Sequence, residues 1–337
     1  MPDVAIAGFA KAPNVRETPG TTNGVEMLVP IFAEVFAQTG LSKQDIGFWC
    51  SGSSDYLAGR AFSFIAAVDA IGAFPPIHES HVEMDAAWAL YEAWLKIKMG
   101  EVETALVYGF GKSSAGQLRR VLALQLDPYV VTPLWPDSVS IAGIQARMGL
   151  EAGLWSEKDL AEVAARHRGV DAADLLDTPY FADPLRKHDI APITDGAAVI
   201  VLSTVERARD IVERPAVITG IEHRVDSPVL GARDLTRSPS TEAAAKALDL
   251  DGVDLAELHA PFTHQELILR TALGLGDGVQ LNPSGGALAA NPMFSAGLAR
   301  IGEAAIRIHS GESRKAVAHA TSGPALQQNL VTVLEAR

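Results

Sequence analysis

The chain has 337 residues, 48% apolar and 20% charged, with 28 Lys and Arg against 41 Asp and Glu, a formal net charge of −13, and one cysteine. This composition excludes an intrinsically disordered chain, a disulfide framework and a cysteine-based zinc site. The charge also repels phosphate backbones, which excludes nucleic acid as a partner. No stretch approaches the roughly 18 apolar residues of a membrane span. The start, Met1-Pro2-Asp3 and an apolar run of about five residues, lacks the basic and long apolar regions of a secretory signal. No membrane span, no metal and a cytoplasmic setting are expected.

In chain order, VAIAGF (4–9) reads as a strand and 25–40 as a helix ended by Gly40, with Pro30 its weak point. IGFWC (46–50) reads as a strand breaking into a small-residue turn, and 56–73 as a helix. Residues 76–84 are a short connecting segment. DAAWALYEAWLKIKMG (85–100) is the strongest helix, with Asp85 at the N-cap and Lys98 and Gly100 at its end. ETALVYGFG (103–111) is a buried-type strand, so strands alternate with helices and an α/β fold with a mainly parallel sheet follows. Residues 112–192 are rich in proline, hold two helical windows (138–150 and 156–168), and read as an inserted loop subdomain that covers something. ITDGAAVIVLST (193–204) returns to a strand.

The second half repeats the first. PAVITGIEHR (215–224) is a strand and 240–252 a helix with Ser240 as N-cap. VDLAELHAPF (253–262) is a strand breaking into a turn, followed by a helix at 263–276. Asn291-Pro292 opens a helix to Arg307, and RKAVAHATSG (314–323) is the closing strand. Cys50 to His259, Asp85 to Asn291 and Val107 to Val317 are separated by 209, 206 and 210 residues. Near-equal offsets imply two copies of one unit, divided at 1–213 (with the loop subdomain) and 214–337. Equivalent loops at the carboxyl ends of the strands then converge on one seam, at 50–55, 85, 259–262, 291 and 321–323. Motifs elsewhere fail: GFGKSS needs a glycine where Leu106 stands to be a phosphate loop.

These landmarks resemble the thiolase superfamily. HVEMDAAWA (81–89) sits where thiolases carry the nucleophilic cysteine at a helix N-terminus. ELHAPFTHQEL (257–267) resembles the Asn-Glu-Ala-Phe or His-Asp-Cys-Phe block, and NPSGGALAANP (282–292) the block ending in Gly-His-Pro. HATSGPALQQNLVTVLE (319–335) resembles the block with Cys-x-Gly, and ITDGAAVIVL the Asp-Gly-Ala-Ala strand. The resemblance implies a five-layered α/β/α/β/α fold of two duplicated halves. Both catalytic cysteines are replaced: Asp85 stands at the nucleophile position and Thr321-Ser322-Gly323 at Cys-x-Gly. A thiolase carries the acyl group on a thiolate, so the chain is more similar to the cysteine-lacking actinobacterial thiolase-like "lipid-transfer" proteins of sterol side-chain degradation. Some of those resemble retro-aldolases that split a β-hydroxyacyl-CoA.

What that resemblance implies is a carbon–carbon lyase acting on an acyl-CoA, with coenzyme A as part of the substrate and no permanently bound cofactor. His259, near pKa 6.5, is the expected proton acceptor. Backbone N–H groups of Asp85 and Gly323, with Asn291 and Thr321 as further donors, would steady the thioester oxygen. Asp85 and Asn291 also read simply as helix caps. Tyr56, His264 and His319 form a second tier of site residues. Cys50 reads as a small buried residue. A homodimer or heterodimer of thiolase-like chains is implied, with an OB-fold, zinc-ribbon partner in some relatives. The alternatives are a non-catalytic acyl-CoA or lipid-binding subunit and an acyltransferase of the acetyl-CoA type.

Overall fold

The computed structural model describes residues 1–19, 24–55, 62–72, 76–124 and 126–337. In the first half, strands β1 (Val4–Lys11), β2 (Phe48–Gly52), β3 (Glu79–Val82), β4 (Thr104–Lys112) and β5 (Ile193–Thr204) carry helices α1 (Leu28–Thr39), α2 (Ser63–Ile71) and α3 (Ala86–Lys98). Between β4 and β5 lie α4 (Ser138–Glu151), α5 (Glu157–Arg168) and a small hairpin, Tyr180–Ala182 with Leu185–Arg186. The second half has β6 (Ala216–Val225), β7 (Leu255–Leu258), β8 (Gln280–Leu281), β9 (Lys315–Ser322) and β10 (Gln328–Ala336), with α6 (Pro239–Lys246), α7 (Thr263–Ala272) and α8 (Ala296–Ser310). No helix among the described residues is long and apolar enough to cross a membrane.

The two halves have the same strand order. The first runs β3-β2-β4-β5-β1, with β2 parallel to β3 and β4, and β5 antiparallel to β4 and β1. The second runs β8-β7-β9-β10-β6 with the same pattern of parallel and antiparallel ladders. Within each half four strands run one way, as expected, and β5 and β10 run against the other four of their own half; β1 and β6 are antiparallel, so the two halves point in opposite directions. The halves join where β1 and β6 exchange two residue pairs, Ala5 with Val217 and Ile6 with Ala216.

Alternation along the strands builds the layers. One face of both sheets, with Ile6, Val107, Ile200, Ala318, Leu330 and Leu334, packs around Leu90, Ala93 and Ile97 of α3 and Ile301, Ala304 and Ile308 of α8. The other face of the first sheet, with Leu106, Tyr108, Val199 and Val201, packs on Leu28, Ile31 and Val35 of α1 and Ala67 and Ile71 of α2. The outer face of the second sheet, with Leu258, Val317 and Val331, packs on Ala244 of α6 and Ile268 and Leu269 of α7. The result is five layers, α/β/α/β/α, with α3 and α8 in the middle. The inserted segment also docks on the second half. Trp155 and Leu160 join that outer layer, and buried Glu266 of α7 pairs with Arg166 and His167 of α5.

Several element boundaries differ from the sequence reading. Pro30 lies in the first turn of α1, where its missing N–H has no intrahelical partner to lose. Residues 79–82, read as a connecting segment, pair with β2. α6 starts at Pro239 with Ser238 as N-cap, while Ser240 Oγ donates to Asp226 at 2.6 Å. Asn291-Pro292 opens no helix: the pair lies beside Ile193 and Thr194 of β5, and α8 begins at Ala296 with Ser295 at its N-cap position. The counterpart of Asp85 is thus Ser295, 210 residues on. The ladders likewise put Cys50 opposite Val107 and Ala256 opposite Val317, so the match of Cys50 to His259 is three residues out of register.

Two glycines let the halves approach. A Cβ at Gly109 of β4 would run into the Phe294 carbonyl oxygen and come within 2.7 Å of Ala86 Cβ. A Cβ at Gly297 would lie 2.6 Å from Ala320 Cβ and 2.7 Å from Asp85 Oδ1. Gly109→Ala is expected to lower stability by about 2 kcal/mol in urea unfolding. Gly116→Ala, where nothing lies within 4 Å, is expected to stay within about 0.5 kcal/mol of the parent. Equal midpoints for the two variants would contradict the close contact at Gly109.

Candidate active site

The N-termini of α3 and α8 meet at the seam. A helix start leaves backbone N–H groups unpaired and carries partial positive charge, so two starts facing each other need an anion or an acceptor between them. Asp85, 5% exposed, supplies it. Its Oδ1 accepts from Ala87 N of its own helix at 2.9 Å and from Leu298 N of α8 at 3.0 Å, and its Oδ2 accepts from Gly297 N at 2.9 Å. In return, Ala86 N donates to the Phe294 carbonyl at 2.9 Å. Phe294 holds that carbonyl in place from the left-handed region, φ 63. Ser295 Oγ, displaced from the capping role by Asp85, is buried without a partner among the described residues.

His259 lies one residue beyond β7 and is buried. Thr321 N donates to its Nδ1 at 3.4 Å, and its Nε2 lies 2.8 Å from Asn291 Oδ1. An acceptor at Nδ1 and a donor at Nε2 describe the neutral Nε2–H tautomer. Burial pushes the imidazole below its usual pKa, with the Asp85 charge and the Asn291 bond pulling the other way. Asn291 receives a second tether, its N donating to Thr194 Oγ1 at 3.0 Å. Its Nδ2 has no hydrogen-bond partner among the described residues and is the donor left for a ligand. The strand end before His259 is also fixed: Leu258 N donates to Asn282 Oδ1 at 2.6 Å, and Asn282 Nδ2 donates to Glu266 at 2.7 Å.

Asp85, His259, Asn291, Thr321 and Gly323 line one cavity of about 910 Å³. Thr321 enters it differently from the expectation: its hydroxyl donates to the Gln328 carbonyl at 3.0 Å, so the group it turns on the site is its backbone N–H. Gly323 has φ +73 and no room for a side chain beside Gln327. The backbone N–H groups of Asp85 and Gly323 donate no hydrogen bond among the described residues.

The second tier does not join this set. His264 and His319 are fully buried against Gln145 and Asn329, at 3.0 and 2.9 Å, and neither lines the cavity. Burial pushes both imidazoles down to about 3. Tyr56 lies outside the described residues. Cys50 is buried away from the cavity with its Sγ 3.7 Å from Glu92, and burial together with Glu92 raises its thiol pKa, so it holds its proton.

The inserted segment forms much of the cavity wall, with Leu118, Leu122, Leu126, Val139, Ile141 and Phe181. It adds Arg168 and Lys187, and the segment after β1 adds Arg16, pinned by Val15 and Thr18 bonding to Asp195. These three cations are exposed and form no ion pair among the described residues. Sequence reasoning missed them, and it missed Gln265 and His188 on the same wall. No spacing pattern links these positions; folding alone brings them together.

No protein-family model matches the sequence. An acetyl-CoA acetyltransferase of Methanothermobacter thermautotrophicus is 27% identical over 179 residues, 46% of this chain and 47% of that protein. One of Methanocaldococcus jannaschii is 28% identical over 163 residues, 40% of this chain and 42% of that protein. The match thus spans less than half the length of these curated relatives. Among solved structures, the Ltp2-ChsH2(DUF35) aldolase superposes with a TM-score of 0.78 at 17% identity, covering 99% of this chain and 98% of that one. The Bacillus anthracis acetyl-CoA acetyltransferase gives 0.80 at 18% identity, covering 100% and 99%. Human mitochondrial 3-ketoacyl-CoA thiolase gives 0.76 at 15% identity, covering 100% and 99%. The chain has the fold of the thiolase superfamily. That fold hosts both aldolase and acyl-transfer chemistry, so the reaction has to be argued from the site.

Asp85→Ala strands three N–H groups and is expected to cost about 3 kcal/mol or more in urea unfolding. Asp85→Asn keeps Oδ1 for Ala87 and Leu298 but sets an NH₂ donor against Gly297 N, and should fall between. Wild-type stability in both variants would mean that the carboxylate does not join the helices. A second expectation concerns acid. Unfolded histidines titrate near 6.5 whereas His264 and His319 titrate near 3, so in between the unfolded chain binds more protons. Stability is then unaffected by these groups above about pH 6.5 and falls below it, by about 1.4 kcal/mol per pH unit for each histidine. A urea midpoint that does not move between about pH 6.5 and 5 would contradict this.

Proposed function

We propose that the chain is a thiolase-fold enzyme acting on acyl-CoA, and that it cleaves a carbon–carbon bond of a β-hydroxyacyl-CoA by a retro-aldol step without carrying the acyl group itself. The observation that carries this reading is the state of Asp85. The helix start where thiolases hold a cysteine presents a carboxylate whose oxygens are taken up by three backbone N–H groups. The lone thiol of the chain is buried away from the cavity. What remains around the cavity is a set of polar donors, cations and the imidazoles of His259 and His188.

In this scheme the thioester oxygen lies against Asn291 Nδ2 and the amides of Asp85 and Gly323. His259 takes the β-hydroxyl proton at Nδ1 once the hydroxyl has displaced the Thr321 N–H, the longer of its two ring contacts. The imidazolium so formed keeps Nε2–H on Asn291 Oδ1 and gains from the Asp85 charge. The electron pair of the Cα–Cβ bond becomes the thioester enolate as the β-oxygen becomes a ketone carbonyl. Return of a proton to the α carbon gives the shortened acyl-CoA. The exposed Arg16, Arg168 and Lys187 suit the phosphates of coenzyme A. The apolar wall suits a bulky acyl group of the steroid side-chain type.

Two other readings keep a specific foothold. The archaeal relatives are named acetyl-CoA acetyltransferases, which favours acyl transfer. Both ring nitrogens of His259 are engaged, which favours an acyl-CoA-binding subunit that is catalytic only with a second chain. The Ltp2-ChsH2(DUF35) aldolase carries a second component in its name. Tyr129 and Leu134 of the inserted segment, 87% and 79% exposed, suit the docking of an OB-fold, zinc-ribbon partner or a second thiolase-like chain.

The test is incubation of the purified protein, alone and with such a partner, with a β-hydroxy steroid-CoA. Ketone and shortened acyl-CoA should appear with no change in the intact mass of the protein. Asn291→Ala should lower kcat by about 10²–10³, while Cys50→Ala leaves it unchanged. A stable acyl adduct would establish acyl transfer instead, and tight acyl-CoA binding with no cleavage under any pairing would establish the subunit reading.

A further inference from the structure

Gln265, in the first turn of α7, is 3% exposed and lines the cavity beside apolar Val139, Ile141, Phe262 and Leu326. The bonds behind it fix which way its amide is turned. The Leu235 carbonyl can only accept, so the Gln145 atom 2.8 Å from it is Nε2. Gln145 Oε1 therefore faces the other side, 3.0 Å from the His264 ring and 3.0 Å from the Gln265 amide. An amide oxygen only accepts, so His264 presents Nε2–H and Gln265 presents its NH₂ group. The neutral state that burial imposes on His264 agrees with this. Gln265 Oε1 is left over: buried, and without a hydrogen-bond partner among the described residues.

A buried carbonyl oxygen with no donor, on a side chain that lines the cavity, is costly until something donates to it. A site built this way discriminates strongly between a ligand that brings a donor and an analogue that lacks one. An amide oxygen is no base, so the donor it takes is not the hydroxyl that gives up its proton near His259.

We propose that Gln265 is a specificity residue whose Oε1 accepts a hydrogen bond from a hydroxyl on the acyl group beyond the β carbon. The substrate is then a hydroxylated acyl-CoA, and its unsubstituted counterpart is the poorer ligand. This rests on the acyl-CoA reading above.

The experiment measures calorimetric binding of octanoyl-CoA and its singly hydroxylated isomers, with the hydroxyl placed beyond the β carbon. At least one isomer should bind the parent protein roughly tenfold more tightly than octanoyl-CoA. Gln265→Leu should abolish that preference while binding octanoyl-CoA at least as well as the parent, because no acceptor is stranded. A purely structural role would weaken all ligands alike. Gln265→Met, which keeps the volume, gives the same reading should the Leu variant fail to fold. If octanoyl-CoA and every isomer bind the parent equally, the role of Gln265 is overturned and the acyl-CoA reading stands. If none of them binds, it is the acyl-CoA reading that fails.

Discussion

Two helices pointing their N-termini at one another across a buried seam is an electrostatic problem, and one carboxylate solves it. Each helix start brings unpaired N–H groups and a partial positive charge. Asp85 accepts from both starts, and Phe294 returns a carbonyl to the Ala86 amide. The sheets contribute little to joining the halves directly, since β1 and β6 share only two residue pairs. The middle layer and this exchange of hydrogen bonds hold the strand ends in register, and with them His259, Asn291 and the turn at 321–323.

The same constraint sets the chemical character of the site. A residue committed to three N–H groups in a buried seam is a poor place for covalent chemistry. The groups left open at the cavity are the donors around it: an asparagine held by a neutral imidazole, and backbone amides on turns. Their positions are set by the strand ends and the helix start that these turns and the short β-like pair adjoin. Such preorganised donors are what a developing thioester enolate requires.

How much of this was legible beforehand follows the range of each interaction. Strand and helix types were readable because alternation and helical spacing are local, and the duplication was readable because its copies kept near-constant separation. The start of α8 was misread because Asn291-Pro292 is a good local helix opening. Only the three-dimensional meeting of the halves shows that Asp85, more than 200 residues earlier, caps the helix that begins at Ala296. Thr321 lines the cavity, but its hydroxyl is taken up by Gln328, since a hydroxyl's choice between Gln328 and a ligand is a matter of strand pairing. Gln265 and the cations at 16, 168 and 187 left no trace in the sequence, because the residues that surround them arrive from three separate segments.

The exchange at the seam is reciprocal without being symmetrical: one half offers a side chain, the other a peptide carbonyl. Two copies of the first half would set two carboxylates against each other, and two copies of the second would leave both helix starts bare. The internal repeat has thus become a pair of non-interchangeable components, comparable to a heterodimer written as a single polypeptide, in which the divergence of either member is licensed only by the other.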